Sequence, residues 1–325
     1  MTDTVVCSIC QKPLTAKLFG DIHRLGKIFE VYFCDLCKMG ITVPTLGQEE
    51  LSVLYAEYRS DVGKRFNPLV EYIIRLFRIR RKNVIERFIK KGRILDIGCG
   101  RGLFLHIMAQ DGWDVVGTEF DNVTAKCVSS IYNIKVVSDK TGRLDFPANS
   151  FDVITVNHVL EHMHDPLAII RRCLNLLRED GYIYMAVPNI LSLQAVFGKR
   201  WWFHLDPPYH LNHFTPKGLC KLLTDNSFRI ISVNHFNMEY NPYGWLQTLL
   251  NRSFRSVNAV YLFLKSSSSY ANDCSKASLF EVFFTLLLLP VYIPLSFALS
   301  LIEAYFFKRG GTIEVLAVKD SLKGL

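Results

Sequence analysis

The sequence predicts an α/β fold built on a mainly parallel sheet. Residues 94–97 form a short apolar run that leads directly into glycines, which is typical of a buried parallel strand entering a tight turn. Residues 103–110 then carry a helical pattern, and residues 114–117 have the pattern of the next strand. A strand, a helix and a second strand in this order form a crossover unit, so we expect both strands in one sheet.

The turn after the first strand carries Gly98, Gly100 and Gly102. Because glycines have no side chain, a ligand can lie directly against their backbone N–H groups. The helix that follows would point its N-terminus at that ligand. Glu119 stands at the C-terminal tip of the second strand, where an acid can hold two ribose hydroxyls. The crossover therefore predicts a nucleotide-binding site.

A dinucleotide-binding fold is the competing interpretation of this segment. Its fingerprint requires a third glycine at position 103, where this chain has Leu103. The dinucleotide fingerprint also has no acid at the end of the first strand, where this chain has Asp96. Glycine patterns alone have low specificity, so the later segments must decide.

The later segments continue the alternation of strands and helices. A fourth strand is predicted at 150–157, a helix at 167–177, and a fifth strand at 182–187 after the turn 178–181. The order and wording of these motifs resemble the class I S-adenosylmethionine (SAM)-dependent methyltransferases, particularly the group acting on small molecules, quinones and lipids. The resemblance extends from about residue 92 to 235. It implies a Rossmann-like seven-stranded sheet and SAM as methyl donor.

The resemblance also implies which residues hold SAM. One group would cradle its methionine part, and others would contact the ribose, the adenine and the region near the sulfonium. The methionine part would be held by Asp96, Gly98, Cys99, Gly100 and Gly102, and the ribose by Glu119. Phe120 would lie against the adenine, and Asp139 or Asp145 would bind its amino group. Asn157 and His158 would lie near the sulfonium. Because SAM carries its own activated methyl group, the protein needs only to align a nucleophile and remove a proton.

A loop after the fifth strand, residues 201–216, holds histidines among aromatic residues. Loops beyond the carboxyl ends of the strands form the site in this fold class, and a histidine near neutral pKa can accept a hydroxyl proton. His210 is the first candidate for this base, followed by His213 and Asp206 in the same loop and by His162 in another loop. The alternative is that these histidines only order their loops. His158, Glu161 and His162 stand at helical spacing and could share one face, which allows a divalent metal site. Because only one of the three is a carboxylate, a hydrogen-bonded cluster is favoured.

Four cysteines form two pairs of the same spacing, Cys7 with Cys10 and Cys34 with Cys37. Two such pairs joined by a hairpin-like segment are typical of a zinc ribbon, in which each pair offers two thiolates to a tetrahedral ion. A redox pair is the alternative for either motif alone. The sequence therefore predicts one structural Zn²⁺.

Two helical segments are predicted between this ribbon and the core, at about 48–59 and 68–90. The second interleaves apolar and basic residues. These charges form either a solvated helix face or a basic patch against anionic lipid headgroups.

Residues 282–302 are 21 residues without a charge, long enough to cross a bilayer. Residues 311–319 resemble the last strand of the fold, expected beside the strand 228–233. If both strands share one sheet, both ends of the apolar segment lie on one side of a membrane. We therefore expect a membrane hairpin bent near Pro290 and Pro294, preceded by an interfacial helix over 240–265.

The chain thus divides into five predicted segments. They are a zinc ribbon over 1–47, a helical linker or cap over 48–91, the methyltransferase core over 92–238, a hydrophobic membrane-associating insert over 239–309, and the final core strand and tail over 310–325. The net charge of +8 indicates an acidic partner such as an anionic membrane, a phosphorylated substrate or nucleic acid. No signal pattern opens the sequence, so we expect cytosolic residence.

The expected function is SAM-dependent methyl transfer to oxygen of a lipid-linked or amphipathic acceptor. A glycolipid, a polyprenyl-linked saccharide or a quinone precursor fits this class. Residues 240–309 would hold the enzyme on the cytoplasmic face of a membrane, monotopic or peripheral. An RNA or protein methyltransferase is the first alternative, but it leaves the charge-free segment unexplained, so nucleic acid is not the expected partner. A non-catalytic membrane adaptor is the second, and the intact glycines and Glu119 argue against it.

Overall fold

A computed structural model describes residues 5–47, 50, 68–139, 142–254 and 279–320. The strands are β1 (Ala16–Arg24), β2 (Lys27–Cys34), β3 (Met39–Val43), β4 (Arg93–Ile97), β5 (Asp114–Glu119), β6 (Lys135–Ser138), β7 (Phe151–Asn157), β8 (Leu177–Pro188), β9 (Asn212–Phe214), β10 (Phe228–Asn234) and β11 (Thr312–Lys319). The helices are α1 (Pro68–Glu86), α2 (Leu103–Gln110), α3 (Asn122–Tyr132), α4 (Pro166–Leu176), α5 (Leu193–Gly198), α6 (Pro216–Thr224), α7 (Asn241–Phe254) and α8 (Leu279–Leu301). The predicted helix over 48–59 lies outside the described residues, except for Glu50.

The chain divides into two compact units. The first comprises Met1–Leu51, Pro188–Gly218 and Asn234–Glu314, and the second comprises Ser52–Val187, Leu219–Val233 and Val315–Leu325. The five-segment division expected from the sequence stays a prediction.

The central sheet has seven strands in the order β10-β11-β8-β7-β4-β5-β6. The pairs β4–β5, β4–β7, β5–β6 and β7–β8 are parallel. This confirms the predicted Rossmann-like sheet, and it places the last strand beside β10 as expected. Ile94, Leu105, Met108, Val153 and Tyr184 belong to the core that this sheet and its helices bury.

The fifth core strand is longer than predicted. The sequence suggested a turn at 178–181, yet β8 already begins at Leu177, which pairs with Phe151. The turn residues are kept as an irregularity of the strand, because the register shifts between Phe151 and Val153 and Asp180 has a positive φ of 58°. A bulge of this kind lets a strand continue past residues that favour turns.

The cysteine-rich segment belongs to a separate four-stranded sheet with the order β1-β2-β3-β9. β1 and β2 are joined by a tight turn in which Leu25 and Gly26 both have positive φ, as two-residue hairpins require. The fourth strand, β9, comes from the loop after β8 and was not predicted. This sheet therefore includes a part of the loop that carries the candidate histidines.

The prediction of a hairpin bent near Pro290 and Pro294 is wrong. α8 is one continuous helix from Leu279 to Leu301 with both prolines inside it. A proline removes the hydrogen bond to the carbonyl four residues earlier and its ring crowds that carbonyl, and prolines four apart lie on one face of a helix. The loss is therefore confined to that face, and the rest of the helix continues.

α7 packs along α8, where the hydroxyls of Ser253 and Tyr292 lie 2.9 Å apart. α7 is the beginning of the helix predicted over 240–265, whose remainder falls outside the described residues. Within the described part of the chain, Phe283–Phe306 is long and apolar enough to cross a membrane by length and composition. It has a mean hydropathy of 2.1, and 11% of its apolar window is buried inside the protein.

Candidate active site

The glycine turn after β4 is an open concavity of backbone. Gly98, Gly100 and Gly102 all have positive φ, between 54° and 72°. A Cβ added to Gly100 would meet no atom within 4 Å, so a ligand can approach the backbone there. At Gly98 an added Cβ would instead clash with the side chain of Val159. The turn is therefore tightly packed at Gly98 and open at Gly100.

Glu119 is the last residue of β5 and is bonded to this turn. Its Oε2 accepts a hydrogen bond from the Gly100 N–H at 2.8 Å, and its Oε1 accepts one from the Phe120 N–H at 2.9 Å. Burial raises the pKa of this carboxyl, and the backbone donors oppose that shift. The site therefore holds a desolvated acceptor in a fixed orientation beside the open turn.

Asp96 lies beneath the turn, within the sheet. It is 3% exposed, and its Oδ1 accepts a hydrogen bond from the Thr155 hydroxyl at 2.6 Å. Burial raises the pKa of Asp96, while the positive charge of Arg81 acts in the opposite direction. Cys99 is also buried, and its N–H donates to the Thr118 carbonyl at 2.9 Å. These contacts support the turn from the strand side.

A cleft of about 480 Å³ follows the ends of β5 and β6. It is lined by Thr118, Asn122, Val137, Ser138, Asp139, Arg143, Leu144, Asp145 and Phe146. The two acids predicted as alternatives here differ in surroundings. Asp139 accepts hydrogen bonds from the N–H groups of Gly142 and Leu144 at 2.9 and 2.8 Å, whereas Asp145 is exposed to the cleft.

Asn122 and Arg143 in this cleft were missed from the sequence. Arg143 lies in an irregular loop without a motif, and Asn122 opens α3 behind the N-cap Asp121. Neither position carries a local pattern that could have assigned it to a ligand.

Asn157 is the last residue of β7. Val156, the residue before it, pairs with Ile97 of β4, and Ile97 also pairs with Thr118 of β5. The carboxyl ends of the three parallel strands therefore bring the glycine turn, Glu119 and Asn157 to one edge of the sheet. The Oδ1 of Asn157 is buried and has no hydrogen-bond partner among the described residues. A ligand at this edge would satisfy that atom.

His158 follows Asn157 and has a positive φ of 53°. Its Nδ1 lies 3.3 Å from the Oε1 of Glu161, which is 1% exposed. A single 3₁₀ turn, Leu160–His162, follows soon after His158, and Glu161 of this turn is the partner of His158. His162 is half-buried in the same turn.

The other candidate bases, His210 and His213, belong to the first unit. His210 Nδ1 lies 2.8 Å from the carbonyl oxygen of His204, and His213 Nε2 lies 2.8 Å from the hydroxyl of Thr42. Both rings are buried. The choice of base among His210, His213 and His162 stays a prediction.

The four cysteines of the predicted ribbon come together as expected. Their Sγ atoms all lie within 4.8 Å of one another, and those of Cys10 and Cys34 are 3.7 Å apart. A tetrahedral zinc site with Zn–S bonds near 2.3 Å requires sulfur atoms about 3.8 Å apart. The Cys37 N–H also points at the Cys34 sulfur, at 3.4 Å. The donor set and its spacing fit Zn²⁺.

Known proteins are similar to a large part of this chain. A family model described as "Methyltransferase domain" matches residues 64–233, more than half of the chain. The ubiquinone biosynthesis O-methyltransferase of Xanthomonas campestris pv. campestris (strain B100) is 35% identical over 167 residues, which are 46% of this chain and 67% of that protein. The enzyme of the same name from Aliivibrio fischeri (strain MJ11) is 28% identical over 163 residues, 46% of this chain and 68% of that one. A solved SAM-dependent methyltransferase from Archaeoglobus fulgidus aligns with a TM-score of 0.47 at 20% identity, covering 75% of this chain and 93% of that one.

Proposed function

Because the chain belongs to the methyltransferase-domain family and is a class I SAM-dependent methyltransferase, we propose that it O-methylates a lipid-linked or amphipathic acceptor at a membrane surface. The relatives named as ubiquinone biosynthesis O-methyltransferases support transfer to oxygen and favour a quinone precursor among the acceptors. The observation that carries the membrane part is the exposed apolar stripe of α8.

The edge of the sheet supplies the SAM site in this proposal. A bound nucleoside with an amino acid tail would contact the open Gly100 backbone, the Glu119 carboxylate and the Asn157 Oδ1, which has no partner in the part of the chain that the structure describes. Gly98, Cys99 and Gly102 shape the turn, Asp96 supports it from below, and Phe120 and His158 flank it. Bound SAM supplies a methyl group already activated on sulfur.

Asp145 is the better candidate for the adenine amino group. Both carboxylate oxygens of Asp139 already accept backbone N–H bonds that close the loop around Gly142 and Leu144. Asp145 is exposed and lines the same cleft. We therefore assign loop closure to Asp139 and the adenine contact to Asp145.

His210 is the preferred general base. A carbonyl oxygen only accepts, so its contact with the His204 carbonyl places the ring hydrogen of His210 on Nδ1. Nε2 is then the basic nitrogen, suited to take the proton of an attacking hydroxyl. The Thr42 hydroxyl donates to the His210 carbonyl, so the Nε2 of His213 must carry the hydrogen in its contact with Thr42, and His213 ranks behind because this nitrogen is already protonated.

The membrane contact is assigned to the outer face of α8. Leu287 and Val291 are each 59% exposed and Leu286 is 61% exposed, at spacings that form one stripe. β10 and β11 are neighbours in one sheet, so the chain leaves and re-enters the protein on the same side. A single crossing by α8 alone does not satisfy this condition, and a monotopic helix at the cytoplasmic face does.

The basic residues of α1 are largely engaged within the second unit. Arg81 is buried over the ring of Phe104, Arg75 bonds to Gln110, and Lys82 pairs with Asp111 and Glu86. Charges used in this way are poorly placed to neutralise phosphates. Their engagement supports the small-molecule acceptor over RNA.

Labelled methyl transfer tests this function. The full chain is incubated with methyl-labelled SAM, total membranes and total RNA of its host, and the mixture is extracted into organic solvent. We expect label in the organic phase with the wild-type chain. This label should be absent with Glu119→Ala and present with the control Glu179→Gln, which changes an exposed residue. Label confined to RNA or protein would overturn the proposal.

A further inference from the structure

The predicted zinc ribbon is continuous with the loop that carries His210 and His213. β9 adds to the ribbon as its fourth strand, and the residue pairs are Met39 with Phe214, Gly40 with His213 and Ile41 with Asn212. Strand pairing of this kind fixes both the register and the side on which each side chain lies. The position of His213 is therefore set by β3.

Both cysteine knuckles also bond to this strand through their own residues. Ser8, between Cys7 and Cys10, donates its hydroxyl to Asn212 Oδ1 at 3.1 Å. The carbonyl of Lys38, which follows Cys37, accepts the Thr215 hydroxyl at 2.7 Å. Residues 212–215 are thus held at both ends by the segments that would bind the metal.

Thr42 makes three contacts with the loop and is fully buried. Its N–H donates to the Leu211 carbonyl at 3.0 Å, and its hydroxyl donates to the His210 carbonyl at 2.6 Å. The same oxygen lies 2.8 Å from His213 Nε2. A hydroxyl has one hydrogen, so His213 must be the donor in the last contact, which fixes its tautomer.

We propose that the ribbon is the positioning element of the acceptor-side loop, and that Thr42 is the positioning residue through which it acts. The ribbon orients His213 and the backbone of His210, and an intact four-cysteine site is what keeps β3 in place. The assignment of this loop to the acceptor rests on the proposed function. The mechanical link between ribbon and loop does not.

Three variants of the full chain test the role of Thr42. Thr42→Val keeps the shape and removes the hydroxyl, Thr42→Ser keeps the hydroxyl, and Thr15→Val makes the same change at an exposed position of the same unit. Nitrogen-15 spectra of labelled histidine, with signals assigned by His213→Gln, report the tautomer of His213. We expect Thr42→Val to convert its single tautomer into a mixture, and Thr42→Ser and Thr15→Val to leave it unchanged. An unchanged His213 spectrum in Thr42→Val would overturn the proposal.

Metal removal from the wild-type chain gives a second test that needs no variant. Zinc content is followed during chelation, and amide hydrogen exchange is read by mass spectrometry for residues 212–214 and, as reference, 94–97. We expect exchange at 212–214 to accelerate about 10-fold or more, with little change at 94–97. Equal protection of 212–214 with and without metal would overturn the proposal.

These readouts separate this inference from the proposed function. SAM affinity, measured by calorimetry, should be unchanged in Thr42→Val, because its contacts all lie in the first unit. Failure to find any methyl acceptor would leave the tautomer and exchange results standing. Intact methyl transfer with unaltered His213 spectra would instead remove the ribbon from the mechanism.

Discussion

The Gly100 N–H donates a hydrogen bond to the Glu119 carboxylate at 2.8 Å, which joins the glycine turn after β4 to the end of β5. The two groups that a nucleoside would contact are therefore held in place by one another before it arrives. Such preorganisation lowers the entropy lost on binding. In the proposed SAM site, Glu119 would therefore both bind the ligand and hold the shape of the turn.

Replacing Glu119 should weaken SAM binding strongly. Glu119→Ala removes a charged acceptor for the ribose hydroxyls and leaves the Gly100 N–H without its partner. Hydrogen bonds to charged groups contribute about 1.5–3 kcal/mol each, so we expect about 10- to 100-fold weaker binding by calorimetry. Glu179→Gln, at an exposed position of β8, is the control and should bind normally. Unchanged affinity in Glu119→Ala would move the ribose site elsewhere.

The raised pKa of Glu119 predicts a specific pH dependence. Burial raises that pKa above its ordinary value, while the ribose hydroxyls require the ionised form as acceptor. SAM affinity should therefore fall as the pH is lowered through the raised pKa, and Glu119→Gln should flatten this part of the profile.

Without ligand, the same group has the opposite effect on stability. The native state binds its proton more tightly than the unfolded chain does, so its contribution to the free energy of unfolding grows as the pH falls through the raised pKa. Urea unfolding of wild type and Glu119→Gln at several pH values, without SAM, checks the sign. If the free energy of unfolding of Glu119→Gln instead rose relative to that of wild type as the pH was lowered, the raised pKa would be contradicted.

The two acids of the cleft should respond differently to neutralisation. Asp145→Asn should weaken SAM binding about 3- to 10-fold with little loss of stability, because it removes one contact at an exposed position. Asp139→Asn should lower the free energy of unfolding by about 1–2 kcal/mol, because an amide replaces the carboxylate that accepts the Gly142 and Leu144 N–H groups. Calorimetry with SAM and urea unfolding measure both. A reversal of the two phenotypes would exchange the roles.

The features that could be predicted from the sequence are those that depend on residues close to one another along the chain. The glycine turn, the helix Leu103–Gln110 and the four-cysteine cluster follow from local spacing, and all are present as expected. β9 could not be predicted, because its three residues form a strand only by pairing with β3, about 170 residues away. The contacts of Thr42 with residues 210–213 were hidden for the same reason.

The continuous course of α8 through Pro290 and Pro294 was missed for a different reason. Proline propensities are measured in isolated or solvated helices, where each interior proline costs about 3 kcal/mol. In this chain, packing against α7 fixes the helix on one side, and tertiary contacts of this kind outweigh local propensity.

The outer face of α8 should bind lipid, and charge placed there should abolish the binding without unfolding the protein. In Leu287→Glu with Val291→Glu, both side chains start 59% exposed, so we expect stability within about 0.5 kcal/mol of wild type. Flotation with vesicles of phosphatidylcholine and phosphatidylglycerol should fall about 10-fold or more, because a carboxylate resists transfer into the bilayer. Ile131→Glu, at a 56% exposed position of α3, is the matched control and should float like wild type. If the double variant floats equally well, α8 is not the membrane contact, and the stripe must instead be covered by protein.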